Sequence, residues 1–373
     1  WSSDVCSSDL VLGLRFILRS SRLRQIGAEM VRGFYLTRVL SALLNVGLLD
    51  EMARRSAVDI DAFAAERGLD ARILRSLCDY LDVLGFVERT PRGHALTARG
   101  QLIQGTLSGA YYLVDAYEDV FHNLEALLRR EKVYGVDVHR RSEFVARGSG
   151  AIGQMLAFPM LADAIRRRRF QRILDLGCGD AAFLADLCQR EPGVRGVGID
   201  IAPEAIALGR QRVAEQGLDG RIDLRVGDIF DLPALRSELP AIDAATSVYV
   251  LHEFQDRIVD VLRQFRVAFP GTPLLVCEVI RHTTEELRRR PGNISEIQLF
   301  HELSNQRLLT RAEWRERFAQ AGFEVRLHDT APAALDRAQQ AIERSLAKLV
   351  EKGRLDAATR DGALARLRPA PAL

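Results

Sequence analysis

The chain has almost no net charge. Among its 373 residues, 52 Lys plus Arg stand against 50 Asp plus Glu, a formal +2. That balance gives no electrostatic footprint for nucleic acid or for an anionic membrane surface. Lysine is nearly absent: Lys132, Lys348 and Lys352 are the only ones, and arginine carries the remaining positive charge. Cysteine is sparse as well. The five, Cys6, Cys78, Cys178, Cys188 and Cys277, form no C-x-x-C pair and lie mostly in apolar runs, as reduced buried thiols do, which points to a cytoplasmic protein. No apolar run approaches the roughly 20 residues that a membrane helix needs. Leu10 to Leu18 is too short and is interrupted by Arg15, and it lacks the flank and cleavage site of a signal peptide. With 47% apolar and 27% charged residues, the composition is that of a globular chain long enough for two or three domains.

The pattern that organises the chain is Arg172 to Asp200, RILDLGCGDAAFLADLCQREPGVRGVGID. An apolar run ends in Asp175 and breaks into Gly177-Cys178-Gly179. Ala181, Ala182, Phe183, Leu184 and Leu187 then recur at helical spacing, and a second apolar run ends in Asp200. The spacing predicts strand, Gly loop, helix, strand. Gly177 and Gly179 lack a Cβ, so a ligand can lie against the main chain beside the free amides of the helix start. Asp200 closes the second strand where parallel β-α-β units hold a ribose, through hydrogen bonds worth about 1.5 to 3 kcal/mol each. A nucleoside-bearing cofactor follows. The dinucleotide fingerprint is not met, because Ala182 stands at its third glycine and Asp175 would repel a pyrophosphate. A cationic ligand fits better. The run resembles the first motif of the class I S-adenosylmethionine-dependent methyltransferases, D-x-G-x-G-x-G, with Ala181 at the third glycine.

The segments around this motif extend the resemblance. The opening WSSDVCSSDL repeats Ser-Ser-Asp without periodicity and looks like translated sequencing adapter. From Gly33 to Met52 the apolar residues fall in a helical rhythm wide enough to be buried on more than one side. Asp70 can cap a helix striped by Ile73, Leu74, Leu77, Leu81 and Leu84, Gly85 stops it, and Phe86 to Leu96 reads as a hairpin turning at Pro91-Arg92-Gly93. This is a winged helix, but its Arg72 and Arg75 are matched by Asp70, Asp79 and Asp82, so no nucleic acid is expected. Such a half before a methyltransferase core resembles the plan of the plant-type and bacterial small-molecule O-methyltransferases over Arg24 to Phe323. The resemblance implies an intertwined homodimer, a small-molecule acceptor and no membrane partner. The expected fold class is α/β: a Rossmann-like class I methyltransferase sheet preceded by an all-helical winged-helix dimerisation domain. The expected divisions are 1–10 (adapter), 11–108 (dimerisation), 109–169 (a helical connector lining the acceptor pocket), 170–322 (cofactor-binding core) and 323–373 (last strand and helical tail).

Within the core the resemblance implies that Asp175, Gly177, Gly179 and Asp200 hold S-adenosylmethionine. Asp228 would meet its adenine amino group, and Ile201 and Ile229 would pack on the base. Two further nearly all-apolar runs, Ile242 to Leu251 and Leu274 to Val279, read as core strands covered on both faces. The first ends in SVYVLHEFQD, placing His252 at the carboxyl end of a strand, where open α/β sheets bind ligands. It matches the L-H-D-W motif of the O-methyltransferases, with Glu253 and Phe254 for the last two residues. The histidine there is the general base. The glutamate that commonly orients it is missing, since its place before Thr310 falls at Leu308 or Leu309. His301-Glu302 stands a few residues upstream instead.

Two functional readings follow. In the first, His252 takes the proton of a hydroxyl during O-methylation, with Glu253 and His301 beside it. In the alternative, His252 and His301 are metal ligands, as in the C-methyltransferases of small 2-oxo acids, whose histidines hold an iron at comparable places. Arg281 or Arg307 could then meet the substrate carboxylate. A reading of another class is a non-catalytic S-adenosylmethionine-binding or winged-helix regulatory protein. After Gly322 the chain departs from the family: Phe323 to His328 reads as one strand, followed by two helical segments split at Gly353. This tail resembles the NAD-binding domain of 3-hydroxyacyl-CoA dehydrogenases, with Asp329 at the ribose aspartate. The glycine fingerprint is absent, so no NAD binding is expected; the tail reads either as a chimera joined at Ala321-Gly322-Phe323, which would cost the sheet its closing strand, or as a native helical extension.

Overall fold

The structure is a computed structural model that describes residues 7–289, 294–327 and 332–369. Trp1 to Cys6, His328 and Asp329 lie outside the described residues. The chain divides between Asp115 and Ala116 into two compact units.

The first unit opens with α1 (Ser7–Asn45) and α2 (Leu48–Arg54), where the apolar rhythm predicted one helix. Gly47 breaks it, at φ 77, a left-handed conformation that glycine adopts without Cβ strain. Next come α3 (Ile60–Arg67) and α4 (Ala71–Val83), each capped by an aspartate. Asp59 Oδ1 accepts from Asp61 N and Ala62 N, and Asp70 Oδ1 from Ile73 N at 2.9 Å. The unit is not all helix, because β1 (Val87–Thr90) and β2 (Gly93–Leu96) pair antiparallel as the turn residues predict. Helices α5 (Ala98–Leu102) and α6 (Ser108–Ala116) follow. Asp115 ties this unit back to α1, through Arg38 at 3.0 Å and Asn45 at 2.7 Å.

In the second unit the connector is helical only in part. Helices α7 (Glu118–His122) and α8 (Leu124–Leu128) are short, and the irregular stretch before α9 (Ser142–Met155) carries Arg140. Helix α10 (Ala157–Arg168) leads into β3 (Arg172–Leu176), α11 (Ala182–Arg190), β4 (Arg195–Asp200), α12 (Pro203–Glu215) and β5 (Ile222–Val226). After the short α13 (Leu232–Leu235) come β6 (Ala244–Val248), α14 (Ile258–Ala268) and β7 (Leu274–Cys277). The five strands pair parallel in the order β5-β4-β3-β6-β7, with Leu174 opposite both Val197 and Ala245. This is the doubly wound α/β sheet expected. Two apolar clusters cover its faces, one around Phe158, Ile173, Phe183 and Leu184, the other around Leu174, Ile199, Leu262 and Phe265. Strand β6 ends three residues short of Leu251, because the chain there turns into a 3-10 segment, Leu251–Arg257.

Helices α15 (Thr284–Arg289), α16 (Ile294–Leu303) and α17 (Arg311–Gln320) precede the tail. There β8 (Val325–Leu327) pairs parallel with β9 (Leu367–Pro369), outside the main sheet, and α18 (Pro332–Glu351) and α19 (Ala357–Leu364) lie between them in sequence. Ala319 of α17 packs with Ile342, Leu346, Ala363 and Leu367. Among the described residues no strand adds to β7, so that edge of the sheet is open.

Candidate active site

The loop after β3 is folded back on β4. Gly177 and Cys178 donate their N–H groups to Ile199 O at 2.8 and 3.1 Å, and Gly179 N donates to Asp200 Oδ2 at 2.8 Å. The other oxygen of Asp200 accepts from Ala202 N at 2.9 Å, so the carboxylate is pinned at the strand end. Gly177 has φ 72, and a Cβ there would lie 2.6 Å from Val250 Cγ1. No larger residue fits. Ala181, at the third-glycine place, also has a positive φ of 59, a conformation that costs a residue with a Cβ about 1–2 kcal/mol. Asp175, Gly177, Gly179, Phe158, Tyr249 and Val250 help to line a cavity of about 140 Å³. Asp175 is 3% exposed and accepts from Thr246 Oγ1 at 2.7 Å. Burial pushes its pKa up to about 7, against that hydrogen bond and with the charge of Asp200.

The other residues expected around the cofactor are spread more widely. Asp228 Oδ1 accepts from Phe230 N at 2.9 Å and caps a short 3-10 turn. Ile229 is buried in the core, whereas Ile201 is 66% exposed.

A second constellation stands at the end of β6. His252 is 5% exposed, and its Nδ1 lies 2.7 Å from Glu278 Oε2. The other Glu278 oxygen accepts from the backbone N–H groups of Val250 and Leu251 at 3.0 and 2.7 Å. The carboxylate that meets this imidazole is Glu278, directly after β7, and not a residue near Thr310, because the parallel register brings β7 beside β6. Burial alone would lower the pKa of His252, but the charges and hydrogen bonds of Glu278 and Glu253 lift it to about 9.

Glu253 Oε1 is 3.6 Å from His252 Nε2. Its Oε2 accepts from Arg140 Nη2 at 2.8 Å and from Gln306 Nε2. Burial resists ionisation here, yet the hydrogen bonds from His252 and Arg140 bring the carboxyl down to about 2. His301, from α16, meets His252 edge to face with ring centroids 5.1 Å apart, and Phe300 stacks on it at 4.8 Å. Its Nδ1 lies 2.7 Å from Ile297 O. Burial and the neighbouring His252 push its pKa down to about 4. Sequence reasoning missed Arg140, Glu278 and Gln306, which carry no motif of their own. Arg281 and Arg307, the candidate carboxylate partners, are both tied to Glu313, at 3.4 and 2.6 Å. Among the described residues no group of three or more His, Cys, Asp and Glu side chains is disposed to hold a metal, and no helix is long and apolar enough to cross a membrane.

Residues 169–322 match the family model of a methyltransferase domain, and residues 311–373 match that of the 3-hydroxyacyl-CoA dehydrogenase NAD-binding domain. The chain is 28% identical to the indolepyruvate C-methyltransferase of Streptomyces griseus, over 75% of this chain and 83% of that one. It is 27% identical to the 2-ketoarginine methyltransferase of Streptomyces arginensis, over 82% and 90%. A methyltransferase of Aspergillus campestris, ungE', is 26% identical over 79% and 90%. In fold the chain is similar to human N-acetylserotonin methyltransferase in complex with SAM, with a TM-score of 0.57 at 20% identity over 87% of this chain and 94% of that one. The mitomycin 7-O-methyltransferase gives 0.56 at 16% identity, over 82% and 93%.

Proposed function

We propose that this chain, whose residues 169–322 match a methyltransferase domain, transfers methyl from S-adenosylmethionine to a 2-oxo acid at the carbon next to the oxo group, with the acid and both His252 and His301 on one iron ion. The observation that carries this reading is the pair of imidazoles. Each has its Nδ1 on an oxygen, of Glu278 or of Ile297, so that Nε2 is the nitrogen each could offer a metal, that of His252 with Glu253 Oε1 3.6 Å away as a neighbouring carboxylate. Donation of the second ring N–H to a carboxylate or carbonyl is the usual state of a metal-bound histidine. Two imidazoles with open positions suit an iron that a 2-oxo acid chelates. Two relatives matched over most of their length, named indolepyruvate C-methyltransferase and 2-ketoarginine methyltransferase, support the same acceptor class.

When bound, the ion would draw electron density from the oxo group and acidify the adjacent C–H. Glu253, ionised at neutral pH and 3.6 Å from His252 Nε2, is the carboxylate available to take that proton. The carbon's electron pair then forms the bond to the sulfonium methyl, and the S–CH₃ bond breaks with its pair on sulfur, giving S-adenosylhomocysteine. Arg140 keeps Glu253 charged and in place, and Glu278 fixes the His252 ring. On the donor side, Asp200 takes the ribose, Asp228 the adenine amino group with Ile201 and Ile229 on the base, and Asp175 faces the positive end of the donor. Exposed Met30, Phe34 and Tyr35 on α1 suit the dimerisation role read for residues 11–108.

A second reading is O-methylation with His252 as the base. The His252–Glu278 contact at 2.7 Å favours it, since a carboxylate behind an imidazole stabilises the imidazolium formed when Nε2 takes a hydroxyl proton. Incubation with S-adenosylmethionine and panels of 2-oxo acids and phenols, followed by mass spectrometry of the product, separates the two. A new C–CH₃ bond on an oxo acid supports the first reading, and a methyl ether supports the second.

A further inference from the structure

The turn that carries His252 is braced from one short segment on the far side of the site. Helix α16 stops at Asn305, whose φ of 56 is left-handed. Gln306 N donates to His301 O at 2.7 Å and Asn305 N to Glu302 O at 3.2 Å, the two bonds of a Schellman stop. This stop sets the Gln306 side chain, 9% exposed, among three partners. Its Oε1 accepts from Arg140 Nη1 at 2.9 Å and from Ser304 Oγ at 3.3 Å. Its Nε2 donates to Glu253 Oε2, the same oxygen that Arg140 Nη2 reaches at 2.8 Å. One residue on, Arg307 N donates to Gln255 Oε1 at 3.2 Å, and Gln255 Nε2 donates to His252 O at 2.5 Å. Gln255 holds the φ 49, ψ −114 conformation, which an L side chain adopts only when its surroundings enforce it.

We propose that Gln306 is a positioning residue for methyl transfer, locking Glu253 Oε2 so that Oε1 stays beside His252 Nε2. The inference rests on the reading of His252 and Glu253 as the acceptor end of the site. A carboxamide suits this place because it offers an acceptor to Arg140 and a donor to Glu253 at once. Leucine would leave a half-buried cation and a half-buried anion each short of a partner, and glutamate would set a second anion against Glu253.

The test is Gln306→Leu and Gln306→Glu beside wild type, each assayed for kcat and for both KM values and each crystallised. In Gln306→Leu kcat falls about tenfold, the scale of one hydrogen bond to a charged group, while the KM for S-adenosylmethionine is unchanged. Gln306→Glu loses more. In the crystals Glu253 leaves His252 in both variants. A Gln306→Leu enzyme with wild-type kcat, or a crystal in which Glu253 keeps its place, overturns the inference. If wild type methylates neither oxo acids nor phenols, the functional reading fails, and the crystals alone still decide the role of Gln306.

Discussion

His252 Nδ1 and Glu278 Oε2 stand 2.7 Å apart, both side chains 5% exposed, at the ends of neighbouring parallel strands. Glu278 also accepts two backbone N–H groups, so it cannot turn away from the imidazole without leaving them unpaired. The imidazole orientation is thus built into the sheet.

Glu278→Gln should lower activity and metal affinity by about 10- to 100-fold, the usual effect of removing such a partner of a ligating histidine. Steady-state kinetics and a metal titration of the same preparation check it.

If Asp175 faces the donor as proposed, donor binding should depend on pH. Its carboxyl is lifted to about 7 by burial, so it is largely neutral below that pH and charged above it. A sulfonium ligand prefers the charged form. Affinity for S-adenosylmethionine should therefore rise with pH, by at most about tenfold per unit below 7, and level off above. Calorimetric titrations from pH 5.5 to 8.5 test the sign, and Asp175→Asn should flatten the profile.

Gly177→Ala combines a positive φ with a Cβ 2.6 Å from Val250. The φ alone costs about 1–2 kcal/mol, and the clash displaces the residues that lead into His252. Loss of both thermal stability and S-adenosylmethionine binding is expected by differential scanning fluorimetry with and without ligand.

The tail is held by its own small core, in which Ile342 and Leu346 are fully buried. Leu346→Ala should cost about 2–5 kcal/mol locally. Limited proteolysis should then cut within 332–369 while S-adenosylmethionine binding persists.

The strand, Gly loop, helix and strand from Arg172 to Asp200 were legible because their signals are local to one β-α-β unit. His252 was legible from its place after an apolar strand. Glu278 was not, since its proximity arises from the pairing of β6 with β7 across 26 residues. Arg140 and Gln306 meet from positions 166 apart, and nothing in either local sequence marks them. The helix break at Gly47 could have been anticipated, because a left-handed glycine ends a helix whatever the apolar rhythm around it.

The central claim is tested most directly by the metal content of the purified protein, wild type and His301→Ala, by elemental analysis. Iron near one per chain in wild type and depleted in the variant is the predicted result, with C-methylation of 2-oxo acids lost in parallel. Metal-free wild type that binds S-adenosylmethionine and turns over its acceptor undiminished by chelator would contradict it, leaving His252 to act as a base alone.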